Sequence, residues 1–194
     1  MTVQTVNGTR AAGSPVLLLA FSGAVVLRVA VAGPAGSASI AAGLVFAALL
    51  VAFSVGRCSR PQFTALSIGL GVVGALVLLV PVVVVASARG VTAPGSGTAY
   101  LSWAMATVVV ATAEEMFLRG ALFDALQRWR GSDVAVVGAA VAFAALHVPL
   151  YGWHVVPLDL AVGLGLGGLR LAAGTWTAPA IAHVGADLAG WWFV

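Results

Sequence analysis

Seven runs of apolar residues divide the chain, at about 15–32, 39–56, 63–87, 99–127, 134–150, 157–173 and 176–193. Most are close to the roughly 20 residues that a helix needs to cross the hydrocarbon core of a bilayer, and the fourth is longer. The breaks carry turn chemistry: "GPAGS" at 33–37, "GRCSRP" at 56–61, "SARGVTAPGSG" at 87–97, "RWRGSD" at 128–133, "YGWH" at 151–154 and "AAGT" at 172–175. The pattern predicts an all-α, polytopic transmembrane bundle of about seven spans. No linker separates parts of it and no internal repeat is evident, so residues 1–194 read as a single integral membrane domain. The first fourteen residues are small and polar, and no small-residue cleavage site follows a short apolar core. The first run therefore reads as a retained span rather than a signal peptide.

Composition supports the membrane reading. The chain is 61% hydrophobic and only 8% charged, with a mean hydropathy of +1.09. A soluble domain of 194 residues could not cover itself with so few polar groups. All nine basic residues are arginine, and they are scattered between apolar runs. The pI near 10 thus implies no nucleic-acid partner. A cytoplasmic N-terminus puts Arg10, Arg57, Arg60, Arg128, Arg130 and Arg170 on the inner side and only Arg89 on the outer side. The positive-inside rule prefers that arrangement, with the C-terminus outside. Trp153, Trp176, Trp191 and Trp192 fall near segment ends, where aromatic belts form. Arg28, late in the first span, is expected to snorkel outward or to pair.

Against this background, "ATAEEMFLRG" (111–120) stands out, because it sets Glu114, Glu115 and Arg119 directly after an uncharged run. Charged side chains inside a bilayer cost a few kcal/mol or more each, so they mark function. The fifth span adds His147, and the seventh adds His183 and Asp187. Glu115 and Arg119 are four apart and share a helix face, so they can pair. Glu114 is turned about 100° from Glu115, which predicts that it is left unpaired. His183 and Asp187 are also four apart, and can share a ligand or a hydrogen bond. Counted from the inner ends of their spans, Glu114 and His147 lie about 20 Å deep, and His183 and Asp187 about 10 to 16 Å.

Two adjacent carboxylates withdrawn from water, with two imidazoles near, suit general-base activation of water against a carbonyl. Serine catalysis is disfavoured: Ser102 lies at the far end of its span, and Cys58, the single cysteine, sits in the inner loop. The H-E-x-x-H zinc motif is absent. His154 is expected at the interface, Asp124 and Asp159 near span ends in solvent, and Asp133 at a helix N-cap. "GLGLGG" (163–168) lies inside a span with no strand before it. It reads as a packing face, with Gly163 and Gly167 at small-xxx-small spacing, and not as a phosphate loop.

Three motifs then carry a family resemblance. "EEMFLR" (114–119) resembles the E-E-x-x-x-R motif of the CPBP intramembrane proteases, bacterial relatives of the CAAX prenyl proteases. "FAALH" (143–147) is similar to the family's F-x-x-x-H motif, and "HVGAD" (183–187) to its H-x-x-x-N or H-x-x-x-D motif. The likeness covers about 99–194, the motif-bearing core. It implies an intramembrane endopeptidase in which Glu114 activates water and His147 helps to position it. His183 and Asp187 would stabilise the oxyanion or hold a metal. Glu115, Arg119 and Phe143 would support the site. Whether the site uses zinc, held by Glu114, His147 and His183, or no cofactor stays open. Asp187 stands where the eukaryotic enzymes have asparagine, and its charge favours a metal ligand over a neutral oxyanion donor. The implied partners are the lipid bilayer, here a bacterial plasma membrane, and a membrane-associated peptide or protein substrate. Two other readings remain: a non-proteolytic member acting in bacteriocin self-immunity or as a scaffold, and a proton-coupled transporter. No inverted repeat supports the last of these.

Overall fold

The computed structural model describes residues 13–33, 36, 39–89 and 97–193. Arg10, the side chain of Arg89, and most of the breaks expected at 33–37 and 87–97 lie outside the described residues. The elements are α1 (Gly13–Ala32), α2 (Ile40–Ser54), α3 (Ala65–Arg89), α4 (Gly97–Glu115), a π-helical stretch (Met116–Leu122), α5 (Phe123–Arg130), α6 (Ser132–Tyr151), α7 (Val156–Ala173) and α8 (Thr177–Gly190). Among the described residues there is no strand. With α4, the π stretch and α5 taken as one rod, the described residues form seven helical segments, as the hydropathy predicts.

Five segments are long and apolar enough to cross a membrane: Pro15–Ala32, Ala65–Ala88, Tyr100–Arg130, Ser132–Tyr151 and Trp153–Ala173. The other two are shorter than expected. α2 has 15 residues and α8 has 14, or about 21 to 23 Å of helix. The outer surface is apolar: Leu19 and Val26 of α1, Leu76 and Val80 of α3, and Leu101 and Met105 of α4 all stand exposed. Contiguous apolar surface of this kind is what lipid covers.

The segments alternate in direction. Gly13 and Leu17 of α1, Gly56 and Arg57 after α2, and Ala125 and Arg128 of α5 line one cavity of about 390 Å³. At the same end, the Trp176 indole donates to the Ser59 carbonyl at 2.9 Å and the Thr177 hydroxyl to the Gln62 carbonyl at 2.6 Å. Trp176 is therefore buried by a polar contact, and is not the belt residue its position suggested. At the opposite end, Tyr100 and Trp103 of α4 pack on Trp191, with ring centroids 5.7 and 4.7 Å apart.

Close helix contacts rest on missing side chains. α6 and α7 form an antiparallel hairpin about Gly152, whose φ of 93° suits glycine. A Cβ on Gly163 would lie 2.8 Å from the Ala140 Cα, and one on Gly167 would lie 3.0 Å from a Val136 methyl. The glycine stripe is thus a packing face against α6. The core gathers around the π stretch: Phe117, Leu118, Leu122 and Phe123 are fully buried with Phe46, Leu50 and Leu146. Phe21 of α1 stacks flat on Phe117 at 5.2 Å.

Candidate active site

α4 carries Glu114 and Glu115 on its last turn, where the chain passes into the π stretch. The apolar pattern predicts a plain helix here. A π turn holds its carbonyls less regularly, and such turns are concentrated at functional sites. Arg119 lies within it and is completely buried, as is Glu115. The guanidinium donates to Glu115 Oε1 at 2.6 Å and to the Gly163 carbonyl of α7 at 3.2 Å. The i,i+4 pair is therefore present and out of solvent, rather than on a solvated face. The Arg119 carbonyl accepts from Arg170 Nε at 2.9 Å. Arg170 also bonds Asp124 at 2.8 Å. Asp124, expected in solvent, is half-buried in this link between α5 and α7, and Arg170 is buried rather than free in a loop.

α8 brings His183 against the same carboxylate. His183 Nδ1 lies 3.0 Å from Glu115 Oε1, and Nε2 lies 3.5 Å from Asp187 Oδ2. Glu115 Oε1 thus serves both Arg119 and His183. Asp187 is considerably more open, with 43% of its side chain exposed. α6 completes the group through Phe143. Its ring meets His147 edge-on at 4.6 Å and His183 edge-on at 5.3 Å, and the Arg119 guanidinium lies over it at 4.8 Å. Phe143 is the spacer that holds two imidazoles and an arginine apart in a dry site.

Three expectations are corrected. Glu114 is not left unpaired: Arg28 of α1 donates to its Oε1 at 3.2 Å, with both side chains largely buried. Asp159 is not merely solvated near a span end. It lies on α7 with Oδ2 3.4 Å from His147 Nδ1, and both atoms are buried without a hydrogen bond of good geometry. Asp133 is not an N-cap; α6 begins at Ser132 after Gly131, and Asp133 sits in the first turn without a capping bond. The signal for Arg28 was available, since a lone arginine in an apolar span is itself a functional marker. For Asp159 the signal was the hairpin, because residues 147 and 159 each lie six positions from Trp153 and so face one another.

Glu114 Oε1, His147 Nδ1 and both His183 nitrogens are turned to Arg28, Asp159, Glu115 and Asp187. Among the described residues, no group of three or more His, Cys, Asp or Glu is arranged to hold a metal ion. The arrangement as it stands does not fit zinc.

Residues 96–189 match the family model described as type II CAAX prenyl endopeptidase Rce1-like. This is the intramembrane-protease grouping that the three motifs resemble. No curated protein and no solved structure matches the chain. The Rce1-like segment contains every residue of the three motifs, from Glu114 to Asp187, together with Asp159 and Arg170. Arg28 comes from outside it. Five helices long and apolar enough to cross a membrane, and a segment that matches this family model, are the features of an integral membrane protein.

Proposed function

We propose that the protein is an intramembrane endopeptidase that hydrolyses a peptide bond with a water activated by Glu114. The observation that supports this reading is the convergence of all three motifs, from α4, α6 and α8, around the Phe143 ring in a buried site. Glu114 takes the proton of the attacking water, and His147 orients that water. Arg119 and the His183 ring together hold Glu115, so this second carboxylate braces the site and leaves the chemistry to its neighbour. With both ring nitrogens protonated, His183 donates Nδ1–H to Glu115 and turns Nε2–H toward Asp187, the most open member of the group. An arriving carbonyl oxygen would meet Nε2 there and displace a contact that is already long at 3.5 Å. Burial strengthens each of these electrostatic contacts, because water no longer competes for them.

The substrate is a membrane-associated peptide or protein that reaches the site through the bilayer. The setting is a bacterial plasma membrane with the N-terminus cytoplasmic and the C-terminus outside. The test is cleavage of a membrane-tethered peptide library in proteoliposomes. Loss of a positioned general base lowers rate by about 10² to 10⁴. Glu114→Gln should therefore abolish detectable cleavage in a protein that still folds, with a lower melting temperature because Arg28 loses its charged partner. Full cleavage by Glu114→Gln with loss in Glu115→Gln would exchange the two roles. If the wild type cleaves nothing, and Glu114→Gln restores a cellular defect of the deletion, the protein acts as a scaffold and not as an enzyme.

A further inference from the structure

α1 buries one seam, made of Leu17, Phe21 and Ala24, each at most 5% exposed. The spacing is four then three, the rhythm of a helix face turned to its neighbours. The next position in that rhythm is Arg28. Here an arginine occupies a place where packing alone would use a leucine or an alanine. It lies about 22 Å along α1 from Gly13, flanked by exposed Val26, Leu27 and Val29. A cation at that depth is costly unless it is paired.

The pairing is specific. Phe21 and Arg28 are two turns apart on α1, and Glu114 and Phe117 are one turn apart on the facing rod. Phe21 stacks on Phe117 at 5.2 Å with the rings 9° from parallel, and Arg28 reaches Glu114 Oε1 at 3.2 Å. The Arg28 guanidinium also lies over the Phe46 ring of α2 at 4.9 Å, which limits its swing. Each glutamate of the pair thus has its own arginine: Arg119 for Glu115 within the rod, and Arg28 for Glu114 from outside the Rce1-like segment.

We infer that Arg28 is a positioning residue for Glu114, contributed by the N-terminal helix, and that the Rce1-like segment is catalytically incomplete without it. This rests on the reading of Glu114 as the general base. The tether is single and goes to Oε1, so it anchors that oxygen and leaves Oε2 for the water. Its action is through Glu114, with no contact to substrate required. A misplacement of about 1 Å at a reacting group can lower rate about 10²-fold.

The experiment compares Arg28→Gln and Arg28→Lys with the wild type in proteoliposomes, with a thermal melt of each. Arg28→Gln should lower kcat about 10²-fold with KM unchanged, and Arg28→Lys should recover most of it, because a lysine keeps the charge beside Glu114. Unchanged kcat in Arg28→Gln would overturn the inference. So would a raised kcat, which would make Arg28 a restraint, or a loss that follows only the folded fraction. A second readout needs no turnover. The chain has only two glutamates, Glu114 and Glu115, so isotope-labelled glutamate gives two carboxylate bands in the infrared, and Glu114→Gln assigns them. The Glu114 band should move in Arg28→Gln and return toward the wild-type position in Arg28→Lys. A band that stays in place overturns the tether whatever the protein cleaves. A band that moves in a protein that cleaves nothing upholds the tether, and it is then the enzyme reading that fails.

Discussion

Replacing Arg119 by alanine should destabilise the bundle more than any other single substitution in the site. Arg119 is 0% exposed and holds Glu115 at 2.6 Å, the Gly163 carbonyl at 3.2 Å and the face of Phe143 at 4.8 Å. Its loss leaves Glu115, also 0% exposed, with only His183 as a partner. Breaking a buried ion pair from one side costs about 3–5 kcal/mol, mostly because the remaining charge is stranded. For a chain of 194 residues, where 1 kcal/mol moves the melting temperature by about 2–4 °C, the expected fall is about 6–20 °C. The cause is separable from simple loss of volume. In Arg119→Ala with Glu115→Gln no carboxylate is stranded, so the double variant should be more stable than the sum of the singles by about 0.5–3 kcal/mol. Arg119→Lys should recover little, because an ammonium cannot span Glu115 and the Gly163 carbonyl as the planar fork does. The assay is a thermal melt of purified protein in one detergent, with all four members of the cycle measured together. A single variant that melts like the wild type, or a strictly additive cycle, would refute the claim that Arg119 stabilises the bundle by neutralising buried Glu115.

The remaining predictions concern packing, topology and metal. Gly163→Ala should destabilise the bundle by about 1–3 kcal/mol, because its Cβ would meet the Ala140 backbone at 2.8 Å. Gly165→Ala, where no atom lies within 4 Å, should be neutral or stabilising; equal melting temperatures for the two would remove the packing argument. Cys58 is the only cysteine, and burial holds its thiol above its ordinary range, so it should react slowly with maleimide. In a Cys58→Ala background, Trp153→Cys should label from outside and Arg128→Cys from inside, and the reverse would invert the topology. Elemental analysis of purified active protein should find no stoichiometric zinc; zinc that leaves with a chelator together with activity would overturn the metal-free scheme.

What the sequence could reveal follows from how far apart the interacting groups lie. Hydropathy is local, so all seven helical segments are legible in it, and their ends agree to within a few residues. The i,i+4 pair of Glu115 and Arg119 is legible for the same reason, since one helix fixes both ends of it. The glycine stripe is legible because close approach needs no knowledge of the partner, only of what is missing. The links that were not legible join different helices. Arg28 and Glu114 are 86 residues apart, and Arg170 and Asp124 are 46 apart. No periodicity on one helix states which face of another it will meet.

Two further misreadings share a cause. Position near a span end predicts solvent for Asp159 and a lipid interface for Trp176. Span ends in this bundle are not uniformly exposed, because short connections fold them onto neighbours. The turn at Gly152 brings α7 back along α6, so Asp159 is carried to His147. The loop after α2 lies under the start of α8, so the Trp176 indole finds the Ser59 carbonyl. The π stretch is a different case. Its residues, "MFLRGAL", are ordinary helix formers apart from one glycine, and nothing in their apolar pattern distinguishes a π turn from an α turn. What holds it is tertiary: Arg170 binds the Arg119 carbonyl, and Arg119 itself is drawn to Glu115 and to Gly163. The two buried arginines therefore do more than balance charge. They hold the widened turn in place directly behind Glu114 and Glu115, so the geometry of the site depends on Arg170 and the Gly163 carbonyl of α7, which a reading of the glutamate motif alone would not include.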